Sequence, residues 1–163
     1  MKRIFCIVLI LLLARCLSVA ADTNGLCFYV VSDAPLEGGR FIDTAEFPKL
    51  GYIANAPNHV LTRLQEVRTN DVTSISRFEG TVTTNTYPAV SLKMWPSDVE
   101  GFAAFTRQNV GRKLLIMLRG TPLVAPRVKV AIETGTLELA RPKGRFPQAV
   151  VGNLQGLIPY SVN

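Results

Sequence analysis

The chain is almost without histidine and tryptophan, with one of each among 163 residues, and it has three cysteines. A zinc site built from cysteine and histidine takes three or four ligands. Outside the N-terminal leader described below, only Cys27 and His59 are available. There is no G-x-S-x-G elbow, no phosphate loop and no dinucleotide fingerprint, since Gly38-Gly39 and Gly111 lack further glycines at the needed spacing. His59 follows Pro57-Asn58 and reads as a surface turn residue. The acid pairs Asp98/Glu100 and Glu133/Glu138 read as a helix start and as outward strand positions, hence as solvated charge. No catalytic residue, metal or cofactor is expected. Charge is sparse as well, 18% against 48% hydrophobic residues, which excludes an intrinsically disordered chain. No heptad or collagen period occurs.

What is present begins with a leader. Met1-Lys2-Arg3 is basic, residues 4–14 are uncharged and apolar, and Ser18-Val19-Ala20-Ala21 are small. This is the layout of a secretory signal peptide. The apolar run is shorter than the roughly 20 residues a membrane-spanning helix needs. Val19 and Ala21 suit cleavage before Asp22, and Ser18 and Ala20 suit cleavage before Ala21. Cys16 is no lipidation site, because the residue before such a cysteine is small and here it is Arg15. Residues 1–21 are thus expected to leave, and residues 22–163 to form one exported domain in a periplasm or cell envelope. The formal charge then falls from +6 to +3, and Cys27 becomes the one cysteine left. Its neighbours Leu26, Phe28 and Tyr29 make it a buried small hydrophobe or a residue available for pairing between chains.

Within that domain, 26–32 is a continuous apolar run and predicts a central strand. Short extended pieces are predicted at 41–43 and 52–54, and 59–72 leans towards strand. Val90, Leu92 and Met94 alternate and predict a half-buried strand. Ser97-Asp98-Val99-Glu100 has the form of a capping box. Phe102 and Phe105 follow with helical spacing and Gly111 suits the end, so a helix is predicted at 98–109. Residues 113–119 predict a buried strand, Gly120-Thr121 a tight turn and 122–125 a strand pairing back. Val128, Val130 and Ile132 alternate as in another half-buried strand, Gly135 turns, and 136–139 extend again. Ala149, Val150, Leu154, Leu157 and Ile158 suggest a last amphipathic helix, weakened by Gly152 and Gly156. The expected class is α+β: a mixed or antiparallel sheet with one or two helices packed on one face.

Charge is unevenly placed. Residues 22–106 carry 6 basic and 10 acidic groups, whereas 107–163 carry 9 basic and 2 acidic. Arg127, Lys129, Arg141, Lys143 and Arg145 are therefore a candidate basic interaction face, for anionic headgroups or an acidic partner. Nucleic acid is not expected of an exported chain with one tryptophan and no stacking motif.

Read together, Val90-Ser91-Leu92, the stretch from Phe102 to Gly120 and the stretch from Leu123 to Val128 resemble the head subdomain of the first periplasmic domain of SecD, a protein-export accessory subunit. The shared pattern is a helix ending in Phe105-Thr106, then Asn109, Gly111 and Arg112, an apolar strand, Gly120, Ala125-Pro126 and Gly135. It covers about 88–140, with a weaker echo up to about 158. Thr106, Asn109, Gly111, Gly120, Ala125 and Pro126 are its fold residues. Arg119 stands where the family usually has an acidic residue. The resemblance implies a SecD-head-like fold, as a stand-alone exported domain. It implies a non-catalytic binding module that contacts a protein partner, an unfolded chain or envelope machinery, through an edge strand or a sheet face. Two other classes stand beside it: a secreted enzyme with an unrecognised site, and a structural envelope protein held at a membrane surface by its basic half. The sequence does not specify an oligomeric state.

Overall fold

The computed structural model describes residues 24–78, 81–141 and 144–159, with backbone alone for 74–78 and 81–82. The leader at 1–21, its cleavage site and Lys143 lie outside the described residues. In chain order the elements are β1 Leu26–Val30, β2 Arg40–Ile42, β3 Gly51–Ile53, β4 His59–Leu61, β5 Glu66–Phe78 and β6 Thr81–Lys93. There follow α1 Pro96–Gln108, β7 Leu114–Leu118, β8 Thr121–Val124, β9 Thr136–Ala140 and α2 Gln148–Gln155. The fold is α+β. Among the described residues the strands form sheets in the orders β4-β1-β7-β8, β2-β3 and β5-β6-β9. Every paired strand is antiparallel.

The uninterrupted apolar runs of β1 and β7 follow from burial on both faces. Leu26, Phe28 and Val30, with Leu114, Ile116 and Leu118, enter a large core with Phe102, Phe105, Val90, Leu92, Leu139 and Leu154. Cys27, Tyr29 and Val31, with Leu115 and Met117, face the opposite way, into a smaller core with Ile42, Leu50 and Ile53. Cys27 is 2% exposed and its thiol donates to the Gly25 carbonyl. The alternation seen in 90–94 is likewise real, with Val90, Leu92 and Met94 all buried.

Three local expectations are corrected. The capping box does not form. Pro96 takes the first helical position, where its fixed φ and missing amide cost nothing. The cap residue becomes Trp95, and no side chain caps the helix. Ser97 falls inside the first turn, where its hydroxyl accepts from Arg63 Nη2 at 2.9 Å and donates to Asp98 Oδ1 at 3.1 Å. Residues 128–132 are not a strand. Val128 is buried but Val130 is 71% exposed. This segment crosses the end of α1 and is bonded there: Gly111 N donates to the Val128 carbonyl and Val128 N to the Arg112 carbonyl. His59 is no surface turn residue, as described below.

The stretch at 59–72 is extended, but it divides between two sheets: β4 pairs with β1, and β5 pairs with β6. The β5–β6 ribbon is longer than its third strand. Pairing of β6 with β9 stops at Ala89–Ala140. The next residue, Pro88, still accepts from Arg141 N at 3.0 Å, but it has no amide to return the bond. Proline thus ends the ladder and leaves the outer half of the ribbon two strands wide.

Candidate groove between two sheet edges

The strands β8 and β9 each close a sheet, and their free edges flank a common groove. Its volume is about 430 Å³. Leu123, Val124, Ala125 and Pro126 form one wall, and Glu138, Leu139, Ala140 and Arg141 the other, with Glu46 and Phe47 beside them. An ion pair joins Glu46 to Arg141. The Arg141 guanidinium also lies 5.9 Å from the Phe146 ring centroid. A second cavity of about 80 Å³ shares Glu46, Leu123 and Arg141 and runs on to Phe146 and Val150.

The two edges differ in what they offer. In an antiparallel ladder, alternate residues bond to the neighbour and the rest turn their amides and carbonyls outward. The bonds from Met94 N to Gly135 O and from Arg141 N to Pro88 O fix the phase. Leu137 and Leu139 therefore bond to β6, while Glu138 and Ala140 present backbone donors and acceptors to the groove; the amide of Thr136, beyond the groove, donates to Thr134 Oγ1 at 3.4 Å. On β8 the phase is set by the turn at Arg119 and Gly120, whose φ of 48° and 77° suit a two-residue hairpin. Leu118 pairs with Thr121, so the next residue, Pro122, turns its nitrogen away from β7. That nitrogen carries no hydrogen. A register shift at Ile116/Met117 then resets the phase: Val124 and Pro126 turn towards β7, where the Pro126 carbonyl accepts from Leu114 N at 2.8 Å, and Ala125 between them turns outward.

The motif residues set the position of these edges. Thr106 is 0% exposed. Its hydroxyl donates towards the Phe102 and Ala103 carbonyls and accepts from Ile132 N at 3.0 Å. Asn109 donates through Nδ2 to the Phe105 carbonyl at 2.8 Å, and its Oδ1 accepts from Arg112 Nη1 at 3.3 Å. Gly111 has φ of 84°, which only glycine adopts at little cost. Ala125 packs on the smaller core. Together they bind the β8–β9 connection to the end of α1, and so fix the separation of the two edges.

The basic residues do not share one contact. Arg127 Nη1 donates to the Gly111 carbonyl at the C-terminal end of α1, where a cation meets the negative end of the helix dipole. Arg141 is engaged by Glu46 and Phe146. Lys129 is exposed, with no side-chain hydrogen bond or ion pair among the described residues. Arg145 lines a separate cleft of about 230 Å³ with Asn70, Asp71 and Gln148. Glu133 pairs with Arg107 at 2.6 Å. Among the described residues no group of three or more His, Cys, Asp or Glu is placed to hold a metal ion.

His59 opens β4 and is packed among aromatic rings. It makes edge contacts with Phe28 and Phe102 at 6.1 and 5.4 Å and stacks on Phe105. Burial lowers its pKa below the ordinary 6.5, and the nearby Asp98 carboxylate partly opposes this. It does not line the groove. Glu46, Phe47 and Phe146 were not singled out in the sequence, and only contacts across the fold reveal them.

No protein-family model matches the chain, and no curated protein matches it. Among solved structures it is similar to a crystal structure of SecDF in a super-membrane-facing form, with 21% identity and a TM-score of 0.46 over 74% of this chain and 17% of that one. It is also similar to a structure of SecDF described as a membrane component that enhances protein export, with 23% identity and a TM-score of 0.46 over 74% of this chain and 57% of that one. The chain thus spans less than two thirds of either SecDF chain. Among the described residues no helix is long and apolar enough to cross a membrane.

Proposed function

We propose that this chain is a non-catalytic exported binding module that takes a protein segment, in extended form, into the groove between β8 and β9. The observation that carries this reading is the pairing of two free sheet edges across an apolar groove, since an unpaired edge is a template for an added strand. The leader at 1–21, removed before Asp22 or Ala21, delivers it to a periplasm or envelope. The pattern shared with the SecD head at 88–140 supports a link to protein export or envelope protein handling, with an unfolded chain or a component of that machinery as the partner. Lys129 and Arg145, together with Lys143, supply positive charge for a membrane surface or acidic partner. Arg141 adds less, because its charge is paired with Glu46.

The test is a titration of the isotope-labelled protein, residues 22–163, with a reduced and carboxymethylated protein that cannot fold. Amide shifts centred on 123–126 and 138–141 are expected, without turnover of the added chain. Shifts confined to other surfaces, or none, would overturn the reading.

A further inference from the structure

We infer that the added segment pairs with β9 and not with β8, and that it is an extended peptide carrying a basic side chain opposite Glu138. This rests on the groove reading above and deepens it. Both edges border the groove, but main-chain pairing needs donors as well as acceptors. On β9 Glu138 and Ala140 turn complete amide and carbonyl sets towards the groove, as the phase of its bonds to β6 requires. On β8 the outward position at Pro122 has no donor, and beyond the register shift Ala125 alone turns a complete set outward. Proline on an edge strand blocks added strands. The apolar residues Leu123 to Pro126 then act as a wall that contacts the side chains of the incoming strand.

Charge at the groove selects among occupants. The chain as a whole is basic, yet Arg141 is paired with Glu46. Glu138 is exposed, and its carboxylate only accepts from the Asn70 amide at 3.4 Å. The lining of the groove is therefore net negative through Glu138, while Lys93, diagonal to it on β6, lies outside the groove. Opposite charges directly across an antiparallel pair stabilise it and like charges oppose it. A second copy of this chain paired β9 to β9 about Glu138 would set two carboxylates against each other. A basic, otherwise apolar strand meets no such opposition.

The probes are two capped hexapeptides, Thr-Val-Lys-Val-Thr-Val and the same sequence with Glu in place of Lys, added to the labelled protein. With the lysine peptide, amide exchange at Glu138 and Ala140 should slow at least tenfold, with Ala125 unchanged. The glutamate peptide should bind at least fivefold more weakly, and Glu138→Gln should abolish that difference. N-methylation of the peptide at the amides facing β9 should remove binding, a result independent of any protein variant. Protection confined to Ala125 would overturn the inference and leave the groove reading intact. Equal binding of the two peptides would overturn the charge assignment. Protection of β9 that appears with protein concentration alone would assign the edge to a second copy and overturn the peptide occupant. Failure of both peptides and of the unfolded protein to bind would remove the groove reading itself.

Discussion

The His59 ring lies against that of Phe105, with centroids 5.1 Å apart and planes 17° apart, so the single histidine is built into the aromatic junction between β4 and α1. Burial in this junction favours the neutral imidazole. The folded pKa lies below the ordinary 6.5, so the unfolded chain takes up a proton first as pH falls. The stability present above about pH 6.5 should decline as pH drops through that value towards the folded pKa. Asp98, itself paired with Arg63, moderates the decline. His59→Phe should flatten this dependence. Melting midpoints of both proteins between about pH 5 and 8 check it, and an unchanged slope in the variant would refute the assignment.

Thr106→Val should destabilise the fold by about 1–3 kcal/mol although the side-chain shape is preserved. The variant leaves Ile132 N without its buried acceptor and removes one of the ties of the β8–β9 connection to α1. Urea unfolding measures the loss. Amide exchange at 131–133 should rise with it, which a general loss of packing would not single out.

Phe105→Ala and Ser97→Ala should differ sharply. Phe105 is 9% exposed and contacts Phe28, Phe102 and His59, so its truncation should cost about 3–5 kcal/mol. Ser97 makes no cap, and its contacts to Arg63 and Asp98 are exposed. Its removal should stay within about 0.5 kcal/mol, as for most surface changes. Denaturant midpoints of the pair decide this, and a loss of about 1 kcal/mol at Ser97 would restore the capping box.

Gly135→Ala should cost more than the usual glycine substitution. The residue has φ of 71°, and an added Cβ would lie 2.8 Å from Val99 Cγ2 on α1. A penalty of about 1–2 kcal/mol from the backbone alone is expected, with the clash added to it. The Val99→Ala background should relieve the second part, and equal losses in both backgrounds would show that the contact does not matter.

The legible parts of the fold were those where one neighbour dominates. β1 and β7 showed as unbroken apolar runs because both of their faces are buried, and Phe102 with Phe105 gave α1. The failures have a common cause. At 128–132 the apolar residues alternate in the sequence, but Val130 is exposed and the backbone bonds go to the end of a helix. His59 sits beside turn-forming Pro57-Asn58, while its aromatic contacts come from Phe28 on β1 and Phe102 and Phe105 on α1. The groove was foreseen only as an unspecified sheet edge. Its walls come from β8, β9 and the loop with Glu46 and Phe47, and no local pattern marks two edges that become neighbours only after folding.

The central position of β1 also sets a schedule. Some eighty residues of chain lie between Val30 and its partner Leu114. At about 5–20 residues per second, β1 waits on the order of 4–16 s for the strand that makes it a central one. Through that interval Leu26, Phe28 and Val30 have no β7 to cover them, while the local β5–β6 hairpin is free to close early. An apolar segment buried on both faces is thus made early, with β4 soon behind it and its second partner strand some eighty residues later.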